Sequence, residues 1–235
     1  MGTSGWSYPE WVGSFYPAKT AGARMLGFYG RHFLTVEAHS THRRAPTAAA
    51  LQRWVEAVPP QFRFAPKAHA GITHRRDLDG VAERVRSFDQ SLAPLGDRLG
   101  PVLFVLPHRQ PDLTRLDLLL EALGPLPRLH PVFELAPGWW VDDVFDRLER
   151  HGASLAIVDR DGARVPEERW AVAGPLAYVR LRRQSYSDGE LAGWAHRLAE
   201  AAATRSEGAY AFVKHDEKGN APRYARALVE HLEGQ

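Results

Sequence analysis

The sequence predicts an α/β protein of the (β/α)8 TIM-barrel type, slightly short for that class and with a weak or missing helix after the sixth strand. Three observations carry this expectation. Eight short apolar runs rich in β-formers recur along the chain, segments with helical apolar spacing lie between most of them, and no Pro- or Ser-rich linker divides the 235 residues. Strand followed by helix, repeated, implies parallel pairing, because a parallel neighbour needs a long crossover. Eight such units fit a barrel just under the usual length of about 250 residues, so one domain over residues 1–235 is expected. The rival architecture, an open doubly wound sheet, would not require the first and eighth strands to pair.

In order, the strands are the GTSGW stretch at the start, FLTVEA (33–38), FRFAPKA (62–68), PVLFVLP (101–107), HPVFEL (130–135), SLAIVD (154–159), LAYVRL (176–181) and AYAFVK (209–214). Helical spacing is clearest at Leu78, Val81, Val85, Phe88 and Leu92, and again at Leu191, Trp194 and Leu198. The weakest unit follows Asp159, where DRDGARVPEERWAVAG mixes Gly and Pro and predicts a loop.

Composition bounds the function. The chain is 44% hydrophobic and 25% charged with no long single-sign block, which fits a globular protein and not a disordered one. No apolar stretch approaches the roughly 18 residues of a membrane span, and MGTSGWSY lacks the pattern of a signal peptide, so a cytoplasmic location without membrane contact is expected. With no cysteine, disulfides and thiolate chemistry are excluded, and any metal would rest on His, Asp and Glu. The 26 arginines against four lysines favour planar anion recognition, although a net charge of +2 does not by itself mark a nucleic-acid binder.

In a barrel of this kind the site is built where strands end and loops begin. Taken strand by strand, those ends give Trp6 and Tyr8, Glu37 and His39, Lys67 and His74, Pro107 and His108, Glu134, Asp159, Arg180 and Arg182, and Lys214 with His215 and Asp216. Period-two alternation could bury Glu37, and a buried carboxylate needs a cation; Lys67 and Arg180 are the candidates. Glu134 is in the same position. For both, a structural ion pair fits as well as a catalytic one. Lys67 could bind an anion or act as a desolvated amine. His74 could equally cap a helix, Arg180 could salt-bridge Glu134 or Asp159, and Trp139 and Trp140 could stack on a ligand or simply pack.

GTSGWSYPEWVGSFYP, TVEAHSTHRRAP, FRFAPKAHAGITH, LGDRLGPVLFVLP, FEL with GWW, YVRL and FVKHDEKGNAPRYA resemble, in this order, the successive blocks of the YecE-like family, domain of unknown function seventy-two. They run from Gly2 to about Leu228. The resemblance implies a TIM barrel and no particular reaction. It places family positions on Gly2 to Tyr8, Val36, Glu37, Lys67, Thr73, His74, Leu106, Pro107, Glu134 and Tyr178 to Leu181. Relative to many members, the chain gains His39, His42 and Arg43, carries Ala136 and Pro137 in place of a fifth-strand Arg and His, has Val105 for a Gln, and has Arg182 and Arg183 for His-Gly. Its KHDE ending is similar to a sub-branch variant.

Three functions remain. The first is a hydrolase or lyase acting on an anionic, possibly phosphate-containing ligand. Lys67, Arg180 and Lys214 would hold charge, Glu37, Glu134, His74 and His215 would move protons, and Trp6, Tyr8, His39, Trp140 and Asp159 would contact ligand. The second is a metal-dependent hydrolase on Glu37, His39, Glu134, Asp159 and His215, against which stands the lack of compact ligand spacing; no tightly bound metal is expected, and no cofactor is named. The third is a nucleic-acid binder whose rim carries Arg43, Arg44, Arg75, Arg76, Arg182 and Arg183, with Trp6, Tyr8 or Trp140 stacking on a base.

Overall fold

The computed structural model describes residues 1–75, 77–162, 174–214 and 219–234. Its strands are β1 (Gly2–Thr3), β2 (Thr35–Ala38), β3 (Arg63–Pro66), β4 (Val102–Val105), β5 (Pro131–Glu134), β6 (Ser154–Asp159), β7 (Ala177–Leu181) and β8 (Ala209–Val213). All pair in parallel. Six form a curled half-barrel sheet in the order β1-β8-β7-β6-β5-β4, and β2 and β3 form a separate pair. The first and eighth strands do meet, with Gly2 opposite Phe212 and Thr3 opposite Val213.

Where the sequence predicts one continuous eight-stranded ladder, strand pairing between the two sheets is limited, among the described residues, to isolated bridges, Ser4 to Glu37 on one side and Phe64 to Leu99 and Lys67 to Leu103 on the other. The thin seams have local causes. Pro66 and Pro101 bring no N–H to the β3–β4 seam. On the β1–β2 side, β1 is two residues long and the chain leaves it through Gly5 at φ +87°, a left-handed conformation that suits glycine. Gly2 sits so close to β2 that a Cβ there would lie 2.0 Å from the Thr35 carbonyl oxygen.

The helices are α1 (Gly22–Tyr29), α2 (Ser40–Arg43), α3 (Ala48–Ala57), α4 (Ala70–Thr73), α5 (Val81–Leu92), α6 (Leu113–Leu123), α7 (Asp142–Arg150), α8 (Asp188–Thr204) and α9 (Asn220–Glu233). Val81, Val85, Phe88 and Leu92 of α5 and Leu191, Trp194 and Leu198 of α8 are all buried as their spacing requires, whereas Leu78 lies before the start of α5 and is partly buried. A reciprocal cap between Ser187 and Glu190 starts α8, each side chain taking a backbone N–H of the other residue. The loop expected after Asp159 lies for the most part, at residues 163–173, outside the described residues.

Strand alternation divides the core in two. Ala65, Leu103, Val132, Ala156, Tyr178 and Phe212 pack together on the concave face, whereas Phe64, Phe104, Phe133, Leu155, Ile157 and Val179 face the helices. Whatever stands two residues further along a concave-facing position therefore points into the mouth at the C-terminal ends of the strands. Among the described residues no helix is long and apolar enough to cross a membrane.

Candidate functional site

Glu37 is placed by β2 two residues beyond Thr35 and is fully buried. Its carboxylate accepts from four donors. Oε1 accepts from Ser4 Oγ at 3.0 Å, Arg180 Nη2 at 2.7 Å and His39 Nε2, while Oε2 accepts from the Tyr178 hydroxyl at 2.8 Å. Burial pushes its pKa up, but the Arg180 guanidinium, with His39, more than reverses this and holds the group well below the carboxylate range. Burial likewise opposes the charge on Arg180, and Glu37 and Glu134 overcome it, so its pKa is raised.

Arg180 is itself 2% exposed and joins two carboxylates, since Nη1 donates to Glu134 Oε2. The other oxygen of Glu134 takes Arg160 Nη2 at 3.2 Å. A continuous ionic chain, Arg160–Glu134–Arg180–Glu37–His39, thus crosses the concave face from β6 to β2, with both carboxylates neutralised. Arg180, and not Lys67, is the cation that buried Glu37 requires. Tyr178, two residues before Arg180 on the same face, is held far from ionising by burial and by the Glu37 charge.

That leaves Lys67 half-buried beyond the end of β3 with no ion pair among the described residues. Burial lowers its pKa first, and Arg180 and Arg182 add to this against the opposing pull of Glu134 and Glu37. Arg182 is in the same condition: partly buried, without an ion pair among the described residues, and lowered by burial and by Arg180. Arg180 Nε is buried with no hydrogen-bond partner among the described residues.

Histidines surround this cationic spot. His39, whose side chain is 37% exposed, is tied through Nε2 to Glu37. Because Glu37 is ionised, Nε2 must be the donor, and the neutral ring then carries its lone pair on Nδ1. His42 is pinned to the end of β3 by Nδ1, 2.8 Å from the Ala68 carbonyl oxygen, and its ring lies edge-on to His74 with centroids 4.9 Å apart. Burial first, and Lys67 among the charges, lowers the pKa of both.

The other expected site residues are arranged differently. Asp159 pairs in register with Leu181, on the helix-facing side, and its carboxylate binds Arg183 Nε at 2.8 Å and Trp194 Nε1 at 3.1 Å. It anchors α8 and lies on the opposite sheet face from Glu37, Glu134 and Arg180. The Trp6 ring packs on Trp54 and Phe64, and Trp139 is fully buried with Nε1 donating to the His108 carbonyl oxygen. Trp140 is partly buried and donates to the Leu135 carbonyl oxygen at 3.3 Å, closing the end of β5. The Tyr8 hydroxyl donates to the Ser4 carbonyl oxygen at 2.7 Å, and its pKa is pushed up to about 12 by burial and Glu37. Lys214 is exposed and continues the β8 ladder, its N–H reaching the Leu181 carbonyl oxygen at 2.8 Å. His215, Asp216 and Arg76 lie outside the described residues. No cluster of three or more His, Asp or Glu among the described residues could hold a metal. Of the arginine rim, Arg183 is committed to Asp159 and Glu190, and Arg75 pairs with Asp77.

Comparison with known families gives the same lineage that the motif order implies. The model of the family described as "Protein of unknown function DUF72" matches residues 1–235. The chain belongs to the DUF72 family. This DUF72 chain is 33% identical over 107 residues to the UPF0759 protein YecE of Escherichia coli K12, a match covering 46% of this chain and 37% of that protein. It is 34% identical over 113 residues to the UPF0759 protein YunF of Bacillus subtilis strain 168, covering 46% of this chain and 39% of that protein. The matches therefore span well under half the length of these relatives. A DUF72 family protein from Thermotoga maritima superposes with a TM-score of 0.83 at 23% identity, over 99% of this chain and 98% of the other. One from Enterococcus faecalis V583 gives 0.79 at 19% identity, over 99% and 94%. At such identities the likeness is one of fold, and the fold is TIM-like.

Within this DUF72 chain, sequence inspection alone misses Ser4 and Tyr178 as partners of Glu37, and Arg160 as the partner of Glu134. Two of the three carry a signal: Tyr178 shares the strand parity of Arg180, and Arg160 directly follows a strand. Ser4 carries none beyond its place in GTSGW.

Proposed function

We propose that the concave mouth is the active site of an enzyme, a hydrolase or lyase, that holds a small oxyanion-bearing substrate on Lys67 and Arg182 and moves a proton through His39. The carrying observation is the pair of half-buried cations left without a carboxylate partner among the described residues, beside an ion chain whose own charges are already balanced. Two unpaired, desolvated cations at one place repel each other, and an anion relieves that cost. Glu37 is fully buried and already accepts four hydrogen bonds, so it serves as the positioning carboxylate that fixes the His39 tautomer. His39 Nδ1 is then the base, and Glu134, partly exposed at 14%, is the nearer carboxylate to solvent.

The same proposal treats residues 1–235 as one domain and the two sheets as a single (β/α)8 barrel, supported by the bridges at Ser4–Glu37 and Lys67–Leu103. It also keeps the cytoplasmic location expected from the sequence. Nucleic acid is the weaker alternative, because Arg183 and Arg75 are already paired within the chain.

Thermal unfolding in sulfate, phosphate and chloride at equal ionic strength tests the proposal. Sulfate and phosphate should raise Tm beyond the general exclusion effect measured on an unrelated protein. Lys67→Met and Arg182→Met should each remove the specific part, and Arg75→Ala should retain it. Equal shifts in all four proteins would refute the anion site.

A further inference from the structure

We infer that Lys67, His42 and His74 form a subsite for a doubly charged tetrahedral oxyanion, a phosphate ester or sulfate group, whose capture is coupled to uptake of a proton by the histidine pair. This rests on the anion-site proposal above and narrows its substrate class.

The subsite is built by docking α2 onto the end of β3. Thr41 Oγ1 lies 2.9 Å from the Ala38 carbonyl oxygen and 2.7 Å from that of Lys67, next to the bond between His42 Nδ1 and the Ala68 carbonyl oxygen at 2.8 Å. A carbonyl only accepts, so His42 Nδ1 must carry a proton. His42 Nε2 is therefore a lone pair when the ring is neutral and an N–H donor only when it is protonated. His74 Nδ1 is engaged with Thr73 Oγ1 at 2.7 Å, which leaves its Nε2 without a hydrogen bond among the described residues.

The groups that face this pair are cations or imidazoles. His42 feels Lys67 from β3, His69 from the start of α4 and His39 from the end of β2. His74 feels His42, Lys67 and His108. The carboxylates nearest to Lys67, Glu37 and Glu134, are committed to Arg180. Burial and Lys67 both oppose protonation and so favour the neutral rings, in which His42 offers a lone pair at Nε2 where an anion needs a donor. An incoming oxyanion reverses the sign of the local field and makes the imidazolium the favoured form. A monoanionic carboxylate is more than balanced by Lys67 and Arg182 and has only two coplanar oxygens. A dianion matches the charge of both cations, and its oxygens diverge in three dimensions, as the groups just beyond β3, on α2 and at the end of α4 do, so an imidazolium can donate beside Lys67.

Calorimetric titration of sulfate into the protein at neutral pH, in PIPES and in Tris, reads the coupling, because sulfate does not itself titrate there and the two buffers differ in ionisation enthalpy. The expected result is a buffer-dependent enthalpy corresponding to about half to one proton taken up per sulfate. His42→Asn, whose amide can still donate to Ala68, should bind sulfate with most of that uptake gone; His74→Gln should lower it in the same direction, and acetate should bind more weakly with little uptake. Equal enthalpies in the two buffers with sulfate bound would overturn the inference and leave the anion site standing. No sulfate binding, or binding undiminished in Lys67→Met, would overturn the anion site as well.

Discussion

Replacing Arg180 by Met removes the one cation that, among the described residues, touches both buried Glu37 and partly exposed Glu134, while preserving much of the side-chain volume. Glu37 is 0% exposed and Arg180 2%. Removing one partner of a buried pair typically costs about 3–5 kcal/mol, because the remaining charge is left without compensation in a medium that solvates it poorly. For a chain of this length each kcal/mol moves Tm by about 2–4 °C, so a fall of roughly 6–20 °C is expected. Glu37 keeps Ser4, Tyr178 and His39, and Glu134 keeps Arg160, which places the loss toward the lower end.

The sign of the pH dependence follows from Glu37. In the parent protein its pKa lies well below the ordinary value of 4.5, so its contribution to stability is present above that value and is lost as pH falls through the depressed pKa. In the variant, burial without Arg180 raises the pKa instead, so stability is lost as pH rises through the raised value. The gap between the two proteins should therefore be wide at pH 8 and narrow on acidification toward pH 5. Urea unfolding at both pH values measures it, and Glu37→Gln combined with Arg180→Met should recover much of the loss. A deficit under about 1 kcal/mol at pH 8, where a solvent-exposed pair would fall, or one that does not change with pH, would refute the reasoning.

Three further outcomes are expected. Gly5→Ala should destabilise by about 1–3 kcal/mol in equilibrium unfolding, since φ is +87° and the added Cβ would stand 2.5 Å from the Tyr8 hydroxyl. Without bound anion, Lys67→Met should be more stable than the parent at neutral pH, and that advantage should fade as pH rises toward 10.5, because the unfolded chain then holds the lysine proton longer than the folded one; Tm against pH for both proteins checks it. Nitrogen NMR of the neutral His39 ring should report a proton on Nε2 in the parent and a mixture of tautomers in Glu37→Gln; a parent ring protonated on Nδ1 would remove the proposed base.

Strand periodicity made most of the framework legible. Each of the eight apolar runs contains a strand, and the helical spacing in α5 and α8 marks buried residues. The seams were harder, because they depend on single residues: Pro66 and Pro101 interrupt one ladder and the short β1 thins another. At the site, every residue near a strand end was a candidate, but only those in phase with the concave face meet. Glu37, Glu134 and Arg180 share that phase, whereas Asp159 is one residue out of it and turns to Arg183 and Trp194. Alternation within SLAIVD against YVRL could have made that distinction. The choice of Arg180 over Lys67 as the partner of Glu37 could not be read from the sequence, since both are long cations near strand ends and only their three-dimensional reach separates them.

Growing crystals from sulfate at near-neutral pH and locating the bound anions sets the proposal against a visible result. The site as proposed requires a sulfate within hydrogen-bonding distance of Lys67 Nζ and the Arg182 guanidinium, with His42 Nε2 turned toward it and Glu37 still bound to Arg180. Lys67 paired instead with Glu37 or Glu134, and no sulfate at the concave mouth at saturating concentration, would make the strand-end charges a scaffold that only holds the sheet together.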